Sequence, residues 1–90
     1  MSARAWAKGE RLGFMCPGCG SAHYVGVGPE GWKWNGSLER PTLSPSVLVS
    51  GYISDREVRC HSFIENGKIH FLNDCLHSLA GKTVDLPEDA

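Results

Sequence analysis

Four cysteines and four histidines in a chain of ninety residues are the groups with chemistry to offer. Cys16-Pro17-Gly18-Cys19-Gly20 has the outline of a zinc knuckle, two thiolates on a tight turn whose glycines let backbone N–H groups approach sulfur. Cys60 and Cys75 make a second candidate pair far along the chain. Two pairs from distant segments are the layout of a structural metal site with four thiolate ligands, and zinc suits such donors. Cys16, Cys19, Cys60 and Cys75 therefore rank first as ligands. A site of three cysteines plus His77 ranks second, and His23 and His61 also compete. The plain alternative is four buried free thiols, for which C-P-G-C-G is poor packing material. A closed site of four ligands leaves zinc no open position, so its role is structural.

A second set of residues has the makings of a reaction centre. His61 and Asp74 are candidates for a carboxylate–imidazole pair, which orients an imidazole as general base for a hydroxyl nucleophile. Ser46 is the first choice of hydroxyl, held behind Pro45 at the mouth of a strand. Ser44 and Ser62 are rivals, and His77 competes with His61 for the role of base. The bland alternative gives none of them chemistry: a serine after proline is an ordinary turn residue, and Asp74 pairs with Arg59. Spacing alone does not bring Ser46 beside His61.

The element that must position both sets is a hairpin. Asn66-Gly67 is a strong type I′ turn signal, because that turn needs φ > 0 at both central residues. With the turn there, Ile64 faces Ile69, Phe63 faces His70, Ser62 faces Phe71 and His61 faces Leu72; extended further, Cys60 faces Asn73 and Arg59 faces Asp74. Opposed residues share a face and successive residues alternate. One face then carries Arg59, His61, Phe63, His70, Leu72 and Asp74. The other carries Cys60, Ser62, Ile64, Ile69, Phe71, Asn73 and, if the strand lasts, Cys75. Sulfur goes to one side and the imidazole–carboxylate pair to the other.

Around this hairpin the chain reads as a mainly β, small single domain: a zinc-ribbon-like antiparallel sheet of about five or six short strands with little helix. Residues 1–12 form an N-terminal lead-in from which Trp6 is expected to dock on the body. Residues 13–87 are a single zinc-binding β domain, and 88–90 an acidic tail. Within the domain, Ser21 to Val27 is a return strand and Trp32-Lys33-Trp34 a short strand whose tryptophans fill the core rather than line a peptide groove. Pro41 and Pro45 hold an extended lead into the buried strand Val47-Leu48-Val49. Tyr52 to Glu57 is a connection or an edge. His77 to Gly81 is one helical turn closed by glycine, and Thr83 to Leu86 is a last strand before Pro87.

Composition excludes some classes. A chain this short is marginal without a staple, which a metal supplies. A formal charge of −1 gives no footprint for nucleic acid or an anionic membrane. No run approaches the length of a membrane-spanning helix, and Met1 to Met15, interrupted by charges, lacks the apolar stretch of a signal peptide. A cytoplasmic location follows as the expectation, and in a reducing compartment a metal site is favoured over disulfides.

The separated motifs G-F-x-C-P-G-C-G-x-x-H, W-x-W-N-G, R-P-T-x-S-P-S and C-H-S-F-I-x-N-G-x-I-x-F-L-x-D-C-x-H-x-L-A-G-x-T-V-x-L-P together span Gly13 to Pro87. In them the chain resembles a family of small domains of unknown function found in phages and prophages, sometimes mislabelled ammonia monooxygenase. Members also occur in bacterial operons that encode ubiquitin-like proteins beside activating-type and conjugating-type enzymes. There they are thought to be serine-type peptidases that process or deconjugate the ubiquitin-like protein. Carried over by motif, the resemblance implies Ser46 for the P-S serine, His61 for the C-H histidine, and Asp74 and His77 from D-C-x-H.

Two readings follow. In the first, the chain is a zinc-stabilised serine peptidase acting on a protein or peptide substrate such as a ubiquitin-like C-terminus, with Ser46, His61 and Asp74 as its catalytic residues. In the second, it is a non-catalytic zinc-binding adaptor of phage type that binds a host protein through Trp32, Trp34 or the segment from Pro41 to Ser46.

Overall fold

The computed structural model of the chain describes residues 3–88. It contains nine strands: β1 (Ala5–Lys8), β2 (Arg11–Cys16), β3 (Ser21–Gly26), β4 (Lys33–Trp34), β5 (Leu43–Ser44), β6 (Val47–Ile53), β7 (Arg56–Glu65), β8 (Lys68–Phe71) and β9 (Thr83–Asp85). They form three antiparallel sheets in the orders β1-β2-β3, β4-β5 and β6-β7-β8-β9. The mainly β class is as the sequence implied, but the strands are more numerous and the expected single sheet is three. There is no helix among the described residues: 77–81 is a tight turn, with Ala80 N–H donating to His77 O at 3.2 Å.

The central hairpin has the register expected of Asn66-Gly67 over its first four pairs, Glu65↔Lys68 through Ser62↔Phe71. Both turn residues have positive φ, 51° and 78°. The turn is also held from outside, since Asn66 N–H donates to Thr42 Oγ1 at 2.8 Å and Gly67 N–H to Pro41 O at 3.0 Å. Period-two alternation then sends Cys60, Ser62, Ile64, Ile69 and Phe71 inward, where all five are buried. They meet Leu12, Phe14, Cys16 and Val25 of the first sheet, with Leu43, Val47 and Leu86 completing the core.

Two segments differ from expectation. Residues 5–8 are not a lead-in but strand β1, paired with β2 in the register Ala5↔Phe14 to Lys8↔Arg11. Hydrophobic alternation is nearly invisible in A-W-A-K, which is why the strand is hard to read. Trp6 does dock: it lies across Gly13 from Tyr24, edge-on at 5.9 Å, and a Cβ on Gly13 would collide with both rings. Tyr52 to Glu57 is a second two-residue hairpin, with Ser54 and Asp55 at φ 49° and 65°. Serine and aspartate adopt that conformation less readily than Asn-Gly, so the turn carried a weaker signal. Of the expected acidic tail, Asp89 and Ala90 lie outside the described residues, as do Met1 and Ser2 of the lead-in.

The segment before β6 is pinned by side chains. Asn35 accepts from Ser37 N–H and Thr42 N–H through Oδ1 and donates to Arg40 O through Nδ2, which accounts for the asparagine of W-x-W-N-G. Trp32 Nε1 donates to Pro45 O at 3.1 Å and lies 3.3 Å from Ser46 O. The tryptophans are partly buried against the core, and Trp32 fastens the Ser46 loop as well.

Candidate active site and metal centre

Ser46 stands at the entrance to β6, and His61 lies on the neighbouring strand opposite Leu48. Ser46 Oγ is 2.9 Å from His61 Nε2. On the other side of the ring, His61 Nδ1 is 3.2 Å from Asp74 Oδ2. The three groups thus form a continuous hydroxyl–imidazole–carboxylate chain. The imidazole is about one-quarter exposed and the carboxylate nearly half, at 26% and 46%, so substrate can reach the row while solvent weakens its electrostatics. Ser62 points to the opposite face and is buried, and Ser44 sits in β5 without a histidine partner.

Asp74 reaches His61 by a different route from the extrapolated ladder. β8 ends at Phe71, and the chain then turns, with Cys75 N–H donating to Leu72 O at 3.3 Å and Leu76 N–H to Arg59 O at 2.9 Å. Asp74 therefore does not pair with Arg59, whose guanidinium binds Glu57 at 2.9 Å.

The same turn decides where the sulfurs go. Cys16, Cys19, Cys60 and His77 offer ligand atoms that all lie within 4.8 Å of one another and could hold a metal ion. Cys75 is not in that cluster. Its Sγ accepts from His61 N–H at 3.2 Å and donates to His61 O at 3.1 Å. The cluster is therefore the set ranked second from the sequence, three cysteines and His77, in place of the four cysteines ranked first. The physical reason is the strand end: without ladder geometry past Phe71, Cys75 is not the diagonal neighbour of Cys60. His23 packs edge-on against Phe14 at 5.7 Å and stands outside the cluster.

The donors fit a tetrahedral ion. Cys16 Sγ and Cys60 Sγ are 3.7 Å apart. Two thiolates at about 2.3 Å from a tetrahedral zinc stand roughly 3.8 Å apart. Cys19 N–H points at Cys16 Sγ from 3.4 Å, the backbone support that the knuckle glycines permit. Among the described residues His77 Nε2 is buried without a hydrogen-bond partner, a ligand position that an ion would satisfy. The hydrogen bond with Cys60 pulls the Cys16 thiol down to about 4, while the same bond and burial push Cys60 up. Burial also raises Cys19. One thiolate is thus favoured even before a cation arrives, and binding an ion displaces the remaining protons.

Gly18 makes room for the fourth ligand. A Cβ there would collide with the His77 ring. The spacing D-C-x-H offers both Cys75 and His77, and strand alternation by itself favours Cys75.

The sequence model of a bacterial ubiquitination-like system serine protease family, BubE, matches residues 2–72. The chain belongs to the BubE family. The match includes Ser46, His61 and the knuckle cysteines, and ends just before Asp74 and His77. No curated protein and no solved structure matches the chain. Membership of BubE makes this a serine protease family member, for which a protein substrate is implied. None of the described residues forms a helix long and apolar enough to cross a membrane.

Proposed function

We propose that this chain is a zinc-stabilised serine peptidase that processes or deconjugates a ubiquitin-like protein. The observation that carries the reading is the unbroken row Ser46 Oγ, His61, Asp74, at 2.9 and 3.2 Å, in a member of a serine protease family from bacterial ubiquitination-like systems.

In this mechanism Ser46 Oγ attacks the carbonyl carbon of the scissile amide as its proton passes to His61 Nε2. Asp74 holds the ring in the tautomer with Nδ1–H and stabilises the imidazolium. The imidazolium then protonates the leaving nitrogen, the C–N bond breaks, and the acyl group remains as an ester on Ser46. Water, deprotonated by His61, hydrolyses that ester and restores the serine. Backbone N–H groups stabilise the tetrahedral oxyanion; the N–H of Ser46 has no backbone partner in the described fold and is suited to this.

Cys16, Cys19, Cys60 and His77 would hold a zinc ion, which with four protein ligands would supply structural cross-linking. Its ligands straddle the reactive row: Cys60 precedes His61, and His77 follows Asp74 by three positions. The ion would lock the turn that carries the carboxylate onto the strand that carries the base.

The test is cleavage of a ubiquitin-like protein from such an operon, extended by a C-terminal peptide. Wild type releases the extension, and Ser46→Ala does not while retaining metal and fold. Cleavage by Ser46→Ala at the wild-type rate would overturn the reading. A Ser46→Ala protein that keeps its full biological effect would support the adaptor alternative.

A further inference from the structure

Strand β6 is the outermost strand of its sheet, and among the described residues its far side has no strand partner. Which backbone groups lie on that side follows from the ladder. Leu72 N–H donates to His61 O, so His61 turns its backbone groups away from β6, and Cys60 and Ser62 turn theirs toward it. Their partners Val49 and Val47 are thereby occupied. The alternate residues Leu48, Ser50 and Tyr52 present N–H and C=O outward, and no backbone hydrogen bond outside the ladder takes these groups up among the described residues. All three residues are exposed.

Native proteins blunt such an edge with a charge, a proline or a bulge. V-L-V-S-G-Y-I has no charge and no proline, and its register with β7 is unbroken. The edge is therefore open to an added strand. It also begins immediately after Ser46. Leu48, directly opposite His61, and Phe63, two positions further along β7, share the imidazole's face and stay exposed at 55% and 45%.

We propose that β6 is the substrate-binding strand: an extended segment of the protein substrate, on the acyl side of the scissile bond, adds along its free edge. This rests on the serine-peptidase reading. The direction follows from connectivity. A carbonyl carbon at Ser46, preceded by residues lying toward Tyr52, requires a chain antiparallel to β6. Main-chain pairing with Leu48, Ser50 and Tyr52 provides affinity, and Leu48 and Phe63 receive apolar side chains. Recognition is confined to the acyl side, so one site serves both a peptide bond and an isopeptide bond, whatever amine departs. A cavity of ≈ 480 Å³ lies against Cys19, Cys60 and His77, and none of Ser46, His61 and Asp74 lines it. The reactive row instead lies on an open face, which suits a polypeptide.

The experiment compares two adducts of the metal-loaded wild-type protein by amide hydrogen exchange. One is formed with diisopropyl fluorophosphate, the other with an acetyl-Leu-Ala-Leu-Ala diphenyl phosphonate. The amides of Leu48, Ser50 and Tyr52 are expected to exchange at least tenfold more slowly in the peptidyl adduct than in the small one. In a matching series, N-methylation of the peptide reduces the inactivation rate at least tenfold at alternate residues and less than twofold between them. Equal exchange in the two adducts with a flat methylation profile would overturn the docking proposal alone, as would a peptidyl reagent that fails on a serine the small reagent modifies. If neither reagent modifies Ser46, the catalytic reading falls and the docking site with it.

Discussion

Ser46 Oγ lies 2.9 Å from His61 Nε2 across a sequence separation of 15, because Leu48 pairs with His61 and Ser46 is the diagonal neighbour on the same face. The contact is a product of sheet register. It depends on the Trp32 indole, which fastens the loop through Pro45 O, and on the ladder from Val47↔Ser62 onward. Serine and imidazole are thereby held in hydrogen-bond reach, the arrangement that nucleophilic catalysis needs.

Asp74→Asn tests the third member of the row. The amide is nearly isosteric, so the fold and the metal content stay unchanged. Asparagine can donate to Nδ1 and favours the wrong tautomer, so kcat falls by about 10²-fold or more with KM little altered. The half-exposed position makes the loss smaller than at a buried triad. Steady-state kinetics on the processed substrate provide the check.

Much of this arrangement was legible in the sequence, and the part that was not has a definite cause. Asn66-Gly67 specifies both the turn and the register, and from that register alone His61 separates from Cys60 and Ser62 goes to the core. The extrapolation held while the strand lasted. Beyond Phe71 the chain leaves the ladder, and the alternation that gives faces to Asn73, Asp74 and Cys75 no longer applies. Asp74 still reaches His61, through a turn. For the same reason His77 and not Cys75 joins the cluster that could hold an ion. β1 carries little sequence signal because its apolar residues are mostly alanine, and the proximity of Ser46 to His61 lies beyond local reasoning, since it joins segments with no shared pattern.

The exchange of Cys75 for His77 is measurable. One zinc ion per chain is expected in wild type, and His77→Ala and Cys60→Ser each abolish stoichiometric binding. Cys75→Ser keeps it. Metal removal by a chelator lowers Tm by on the order of 10 °C or more, because a structural site contributes folding free energy directly. Metal analysis beside thermal unfolding reads both effects. A Cys75→Ser protein without metal would restore the four-cysteine set.

Cys75 has a separate function in the fold. Its thiol bridges the backbone N–H and C=O of His61, at 3.2 and 3.1 Å, from a buried position. Cys75→Ala leaves that N–H without its acceptor and costs about 1–3 kcal/mol, visible as a lower urea midpoint at full metal occupancy. Serine retains both bonding roles and recovers part of the loss.

Gly18→Ala probes the space between knuckle and imidazole. The added methyl group collides with the His77 ring. The expected result is a metal affinity lower by at least tenfold, with three thiolates still available, read by competition with a chromogenic chelator. The activity falls with it, since the His77 turn also carries Asp74.

The most direct measurement of the central claim is the intact mass and peptide map of the metal-loaded protein after exposure to a fluorophosphonate. One adduct on Ser46 is expected in wild type, with labelling slowed by about 10³-fold or more in His61→Ala. An unmodified wild-type protein, or equal labelling of Ser46 in both, would contradict a nucleophile activated by that imidazole.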